Sequence, residues 1–203
     1  MIFHPVDSGM LQELANLVRV VTDKLEQYDY ASALDQTEKA FWTFCDDYIE
    51  LVKDRRYTTP DSIGARSATG ALLTALATYL KLFAPYMPFV TEEVWSWWRE
   101  GSIHRAQWPN AEDLEHIAGK DLKITGWVLA QSANTEIRRA KALQGLKMKS
   151  TVKATIRATQ DCIATFQLVA DDVGSANSVK LIDYEVGEGF QIFVTPMDFP
   201  TAQ

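Results

Sequence analysis

Residues Phe41 to Arg56, FWTFCDDYIELVKDRR, decide how the first half of the chain folds. Phe41, Phe44, Cys45, Tyr48, Ile49 and Val52 fall at i, i+3, i+4, i+7, i+8 and i+11, the spacing that gathers side chains on one face of an α-helix. Much of that face is aromatic, so it needs other elements to bury it. A second stretch, LKLFAPYMPFVTEEVWSWW from Leu80 to Trp98, closes a helix at Pro85 and Pro88. It is expected to open another at Thr91, with Glu92 and Glu93 in the first turn, where the helix dipole favours acids.

Outward from these stretches the same period continues. Leu11, Leu14, Val18, Val21, Leu25 and Tyr28 predict a helix over about 8–28, after an extended start containing Pro5. Asp29 and Tyr30 interrupt it, and a second helix is expected over about 31–54, carrying the aromatic face. YTTPDSI at Tyr57 to Ile63 reads as a loop by its proline and hydroxyls. A third helix, about 64–83, holds Leu72, Leu73, Leu76, Leu80 and Phe83 in register, and a fourth, about 91–99, turns Val94, Trp95 and Trp98 inward. Four apolar faces on short connections bury one another most economically as an antiparallel helical bundle. GSIHRAQWPN at Gly101 to Asn110 reads as extended, with Ile103 and Trp108 over one end of the bundle and Pro109 stopping regular structure.

Beyond this point the pattern changes. A weakly amphipathic helix containing Gly126 is expected over about 121–143, ended by Gly145. Val152, Ala154, Ile156 and Ala158 then alternate with Lys153, Thr155, Arg157 and Thr159, a strand pattern. A helix over about 161–175 should follow, then a hairpin of 179–186 and 190–194 closed at Gly187 and Gly189. The fold class is therefore mainly α: a helical bundle over 1–118 followed by a small α+β unit over 119–203.

Composition sets the class of protein. With 203 residues, 47% hydrophobic and 23% charged, the chain is ordinary for a soluble globular protein. No apolar run approaches the roughly 20 residues of a membrane helix, and no signal segment opens the chain, so a cytoplasmic protein without membrane contact is expected. Cys45 and Cys162 have no Cys or His neighbours at ligand spacing, so no metal is expected. A monomer is the expected state. Catalysis finds no support either. Asp46/Asp47 and Glu92/Glu93 are adjacent on helices and point about 100 degrees apart, His4, His104 and His116 are scattered, and the glycines never reach phosphate-loop spacing. No catalytic residue is assigned.

The net charge of −7 argues against a generic nucleic-acid binder, yet its distribution does not. Residues 1–118 hold 10 basic and 18 acidic side chains, whereas 119–203 hold 10 and 9. Arg138, Arg139, Lys141, Lys147, Lys149, Lys153 and Arg157 lie in a stretch with no acid at all, which is either a solvated face or a phosphate-binding one. Lys53, Arg55, Arg56 and Tyr57 at the end of the second helix, with Lys39 on its polar face and Arg66 past the loop, offer the cations and ring that unpaired RNA requires. The same cations also suit the negative end of a helix dipole, so both readings stand.

LEQYDYASAL (Leu25 to Leu34), FWTFCDDYIELVK (Phe41 to Lys53), LKLFAPYMPFVTEEVW (Leu80 to Trp95), SIHRAQWP (Ser102 to Pro109) and IRRAK (Ile137 to Lys141), in that order, resemble the helical anticodon-binding domain of the class I aminoacyl-tRNA synthetases. The Phe-Cys-Asp-x-Tyr wording is most similar to the valyl branch; the isoleucyl, leucyl and methionyl branches are alternatives. The resemblance implies a C-terminal piece of a longer enzyme that binds the anticodon stem and loop of tRNA(Val), with ATP-dependent attachment of valine performed by catalytic and editing domains elsewhere. It implies no cofactor in this piece and no activity of its own. On charge and aromaticity, Lys39, Lys53, Arg55, Arg56, Tyr57 and Arg66 are the candidates for the anticodon, and Arg138, Arg139, Lys141, Lys147 and Lys149 for the RNA backbone. Lys147-Met148-Lys149-Ser150 is one serine short of the KMSKS loop of these enzymes, and no HIGH partner accompanies it, so an ATP site is not expected. Two other classes are kept open: a helical protein-interaction module anchored by Trp97 or Trp98, and a small-molecule enzyme, which would need the bundle and the α+β unit to enclose a cleft with converging ionisable groups.

Overall fold

A computed structural model describes residues 2, 4–119 and 125–197. Helix α1, Pro5–Glu26, starts earlier than its spacing suggested, because Pro5 sits in the first turn where its missing N–H leaves no bond unmade. Val6, Leu11, Leu14, Val18 and Val21 are buried along it. Asp29 caps α2, Tyr30–Thr43, by accepting from Ser32 N at 3.2 Å. The chain then passes through a π turn, Phe44–Tyr48, into α3, Ile49–Thr58. One rod results, as expected, but the inserted residue rotates its phase. Ala33 and Thr37 are buried before the turn, Phe44, Tyr48, Leu51 and Val52 within and after it, and Phe41, Cys45 and Ile49 are only half-buried.

Tyr57 falls in the last turn of α3, so the expected loop shrinks to 59–62, where Ser62 caps α4, Ile63–Phe83, through Ala65 N at 3.0 Å. The leucine register assigned to α4 holds at Leu80 and Phe83, which are buried, and needs correction at Leu73 and Leu76. Its buried row is Ala65, Ala68, Ala71, Ala75, Tyr79 and Leu82, while Leu73 is 49% and Leu76 37% exposed. Small residues let the α4 backbone lie close to its neighbours, so the alanine row wins the core. Helix α5, Pro88–Ser96, opens at Pro88 and not at Thr91, again with proline in the first turn. Trp95 packs with Leu80, Ala84 and Ile103 in a small separate cluster. Glu92 accepts from Ser102 Oγ and Ile103 N, both at 2.9 Å, which ties the 3-10 turn Ile103–Arg105 to α5.

The extended reading gives way at Asn110, whose Oδ1 accepts from Glu112 N at 2.7 Å and caps α6, Ala111–Ala118. Helix α6 packs along α1, with Ser8 Oγ donating to Ala118 O at 2.7 Å and Trp108 Nε1 to Thr22 Oγ1 at 2.8 Å. The next helix, α7, is Thr125–Leu143; its expected start near Asp121 lies outside the described residues. A Cβ on Gly126 would stand 2.9 Å from Pro5 Cβ, so α7 meets the start of α1 only because that position has no side chain.

Strand β1, Val152–Ala158, buries its even-numbered side chains as the alternation predicts. Helices α8, Gln160–Gln167, and α9, Ala170–Ala176, replace the single helix expected there. Strands β2, Val179–Val186, and β3, Phe190–Pro196, do not form a hairpin. The sheet order is β2-β1-β3, with β2 parallel and β3 antiparallel to β1. Gly187 N bonds Ala158 O at 2.9 Å, so the glycine-rich link crosses the end of β1 to reach its other edge. The apolar side of the sheet joins the helices in one core running from Ile2 to Val194. The mainly α bundle followed by a small α+β unit is borne out.

Candidate nucleic-acid interface

The rod formed by α2, the π turn and α3 presents an outer face to solvent. Asp46, Glu50, Lys53 and Tyr57 follow one another at helical spacing down it, about 16 Å from first to last at 1.5 Å per residue. Tyr57 is 75% exposed, with the Arg56 guanidinium 5.8 Å from its ring centre. Lys53 is exposed and reaches Glu50 Oε1 at 3.4 Å. At the other end, α7 closes on the π turn. Arg138 Nη2 donates to Asp46 O at 3.0 Å, and Asn134 Nδ2 donates to Asp47 Oδ1 at 2.6 Å. A π turn loosens the i+4 ladder, and Arg138 takes up a carbonyl there. Arg139, the next residue, is turned to solvent with a loose 3.7 Å contact to Glu136.

The structure thus brings Lys53, Arg56 and Tyr57 together at the end of α3, while Arg138 meets the Asp46 end of the rod. Arg66 lies across the 59–62 turn, donating to Asp61 O at 3.1 Å. Lys39 stands before the π turn, paired to Asp35 at 2.7 Å. Lys147 and Lys149 are exposed on the turn between α7 and β1.

Two candidates are engaged inside the protein, which corrects their assignment to RNA. All five N–H groups of Arg55 are bonded: Nε and Nη2 to Asp172 at 2.9 and 3.0 Å, Nη1 and Nη2 to Asp7 at 3.0 and 2.8 Å, and Nη1 to Gly64 O at 2.7 Å. Tyr48 Oη donates to Asp7 as well, at 2.9 Å. A Cβ on Gly64 would lie 3.0 Å from Arg55 Cδ, so glycine is what admits the guanidinium. Burial pushes Arg55 down, but its bonds and charge contacts with Asp7 and Asp172 outweigh this and hold it above the usual arginine value. Lys141 is 1% exposed and donates to Met148 O, Ser150 O and Asn177 O at 2.7, 2.7 and 2.6 Å. The Lys147–Ser150 turn is therefore clamped from beneath by an ammonium.

His4 sits beside the Arg55 network, its buried Nδ1 without a hydrogen bond and 3.7 Å from Asp172 Oδ2. Burial, opposed by Asp172, lowers it from the ordinary value of 6.5. The unfolded chain then binds more protons than the folded one below pH 6.5, so stability should fall as the pH drops through that window. Urea titrations at pH 7.5 and 5.5 should show His4→Gln losing less stability on acidification than the parent; equal losses would assign the slope to other groups.

Among the described residues no group of three or more His, Cys, Asp or Glu is placed to hold a metal ion, and no helix is long and apolar enough to cross a membrane. A helical bundle whose cations flank an exposed ring along one rod carries the groups that unpaired RNA requires for stacking and phosphate contact. Residues 7–156 match the family described as the anticodon-binding domain of tRNA ligase, and the chain belongs to that family. It is 43% identical over 194 residues to a valine–tRNA ligase of Salinispora arenicola, covering 88% of this chain and 22% of that protein. It is 39% identical over 191 residues to one of Thermobifida fusca, covering 94% and 21%. A valine–tRNA ligase of Cutibacterium acnes matches all of the chain at 36% identity, across 23% of its own length. The chain spans about a fifth of the length of the curated relatives it matches. The resemblance drawn from Phe41 to Lys53 and its companion stretches is borne out.

Proposed function

We propose that this chain binds the anticodon stem and loop of tRNA(Val), as the anticodon-recognising part of a valine–tRNA ligase that works as a cytoplasmic monomer. Valine activation with ATP and its transfer to tRNA belong, on this reading, to other parts of such an enzyme, and this part uses no cofactor. The observation that carries it is the family match over 7–156, which contains both the Asp46–Tyr57 strip and the cations of 138–149. Loop nucleotides leave their stack to lie on Tyr57 and the Arg56 plane, and Asp46 and Glu50 accept from base N–H groups. Lys53, Arg139, Lys147 and Lys149 hold phosphates. A correct base fills the polar contacts that a wrong one leaves unpaired, which is how binding adds selectivity to a reaction performed elsewhere.

The test is a mobility shift with hairpins carrying the cognate anticodon and swapped ones. Tighter binding of the cognate hairpin supports the reading; equal affinity for all sequences at low salt contradicts anticodon recognition. Arg139→Glu should weaken every hairpin alike and flatten the slope of log K against log salt by about one. An unchanged slope would leave α7 a solvated face. Tyr57→Ala should cost about 1–3 kcal/mol in hairpin affinity through lost stacking, read by fluorescence anisotropy, with no change in melting temperature.

A further inference from the structure

Between α2, α4 and α5 runs an open groove of about 580 Å³. Phe41, Leu80 and Phe83 form its deeper part, and Trp42, Leu76 and Val90, exposed by 56, 37 and 59%, form its rims. Leu76 of α4, which periodicity marks for burial, is left uncovered here. Exposed apolar area of this kind on a folded domain marks a contact surface.

The chemistry of the lining selects the occupant. Glu38 is its one carboxylate, and it includes no Lys, Arg or His, so an RNA backbone has no countercharge there. The hydroxyls of Tyr79, Tyr86 and Thr91 already donate to Ala40 O, Tyr30 O and Met87 O at 3.0, 2.9 and 2.9 Å, so they offer no free proton to a base edge. The lining runs from Leu34 to Trp42 on α2 and from Leu76 to Phe83 on α4, about 10–12 Å at 1.5 Å per residue, or two helical turns. The relatives are more than four times as long as the stretch they share with this chain, so they contain ample polypeptide to supply such an element.

We infer that this groove receives an amphipathic α-helix from the remainder of the longer polypeptide, its apolar stripe seated on Trp42, Leu76 and Val90 and a Lys or Arg opposite Glu38. The contact is the helix-in-groove mode, read through anchors at i, i+3, i+4 and i+7. It rests on the reading of this chain as part of a valine–tRNA ligase but not on the anticodon contact, because the Asp46–Tyr57 strip shares no residue with the groove.

The test titrates the 203-residue protein with overlapping 20-residue peptides that tile the Salinispora arenicola valine–tRNA ligase outside its matched stretch, at up to about 1 mM, by calorimetry. At least one amphipathic peptide bearing a Lys or Arg should bind, and Leu76→Glu and Trp42→Ala should each weaken it by about 10-fold or more, as expected of a central anchor. Glu38→Lys should weaken the same peptide. Both anchors are solvent-exposed, so melting temperatures should hold; should Leu76→Glu unfold the chain, Trp42→Ala carries the comparison. The inference is overturned if no peptide binds or if the variants bind the peptide as the parent does. It is also overturned if sedimentation shows a dimer that Leu76→Glu dissolves, or if an RNA hairpin is what the groove variants lose.

Discussion

Arg55→Ala should lower the free energy of unfolding by about 3–5 kcal/mol, the largest loss expected for any single exposed-looking cation in the chain. The reasoning runs through what remains behind. Asp7 is fully buried and Asp172 is 3% exposed, and both carboxylates face the guanidinium that the substitution deletes. Two buried anions then face each other with Tyr48 still donating to Asp7, and His4 at 3.7 Å from Asp172 is a poor substitute. Arg55→Lys should recover part of the loss and no more, since one ammonium cannot answer two bidentate carboxylates. Arg56→Ala is the control: one residue away on the same helix, it should stay within about 0.5 kcal/mol of the parent. Urea denaturation of the three variants decides the matter. A stable Arg55→Ala protein with reduced hairpin affinity would return Arg55 to the RNA surface.

Lys141→Met should cost about 3 kcal/mol for a related reason. The methionine fills the channel that the lysine stem occupies, but three carbonyls lose an ammonium donor, and hydrogen bonds to charged groups are each worth about 1.5–3 kcal/mol. Those carbonyls belong to the Lys147–Ser150 turn and to Asn177 at the entry to β2, so the substitution frees the turn and the sheet edge together. Thermal melts should show the loss, and hydrogen exchange should show it concentrated at 146–151 and 177–180. Lys147→Met or Lys149→Met, on the solvent side of the same turn, should leave stability unchanged. Equal effects at all three lysines would mean that the clamp is no more than one contact among many.

These two residues mark the limit of what periodicity and charge can reveal. The core stripe from Phe44 to Val52 was legible because side chains at 3-4 spacing have one face to share, and the strand Val152–Ala158 because alternation has one meaning. Charge and aromaticity from Lys53 to Tyr57 marked the candidate surface. A cation's destination is different: Arg55 and Arg56 are adjacent and alike, and only the packing of α9 and α1 against α3 turns one inward to Asp172 and Asp7 and leaves the other on Tyr57. Helix α6 had a readable signal, Asn110 after Pro109 with Glu112 and Asp113 in the first turn, which the extended reading of Gly101 to Asn110 passed over. The strand order was not readable, since Val179–Val186 and Phe190–Pro196 with glycines between them carry the marks of a hairpin, and only the vacancy beside each edge of β1 separates them. The π turn at Phe44–Tyr48 has no sequence mark that we can identify.

The most direct test of the central claim is a nitrogen–proton NMR titration of the 203-residue protein with a 17-nucleotide hairpin bearing the tRNA(Val) anticodon, at low salt. Shifts should cluster at 46–57, at 138–139 and on the 147–149 turn, leaving the groove around Trp42 and Leu76 untouched. Shifts confined to that groove, or none at saturating hairpin, would contradict the account.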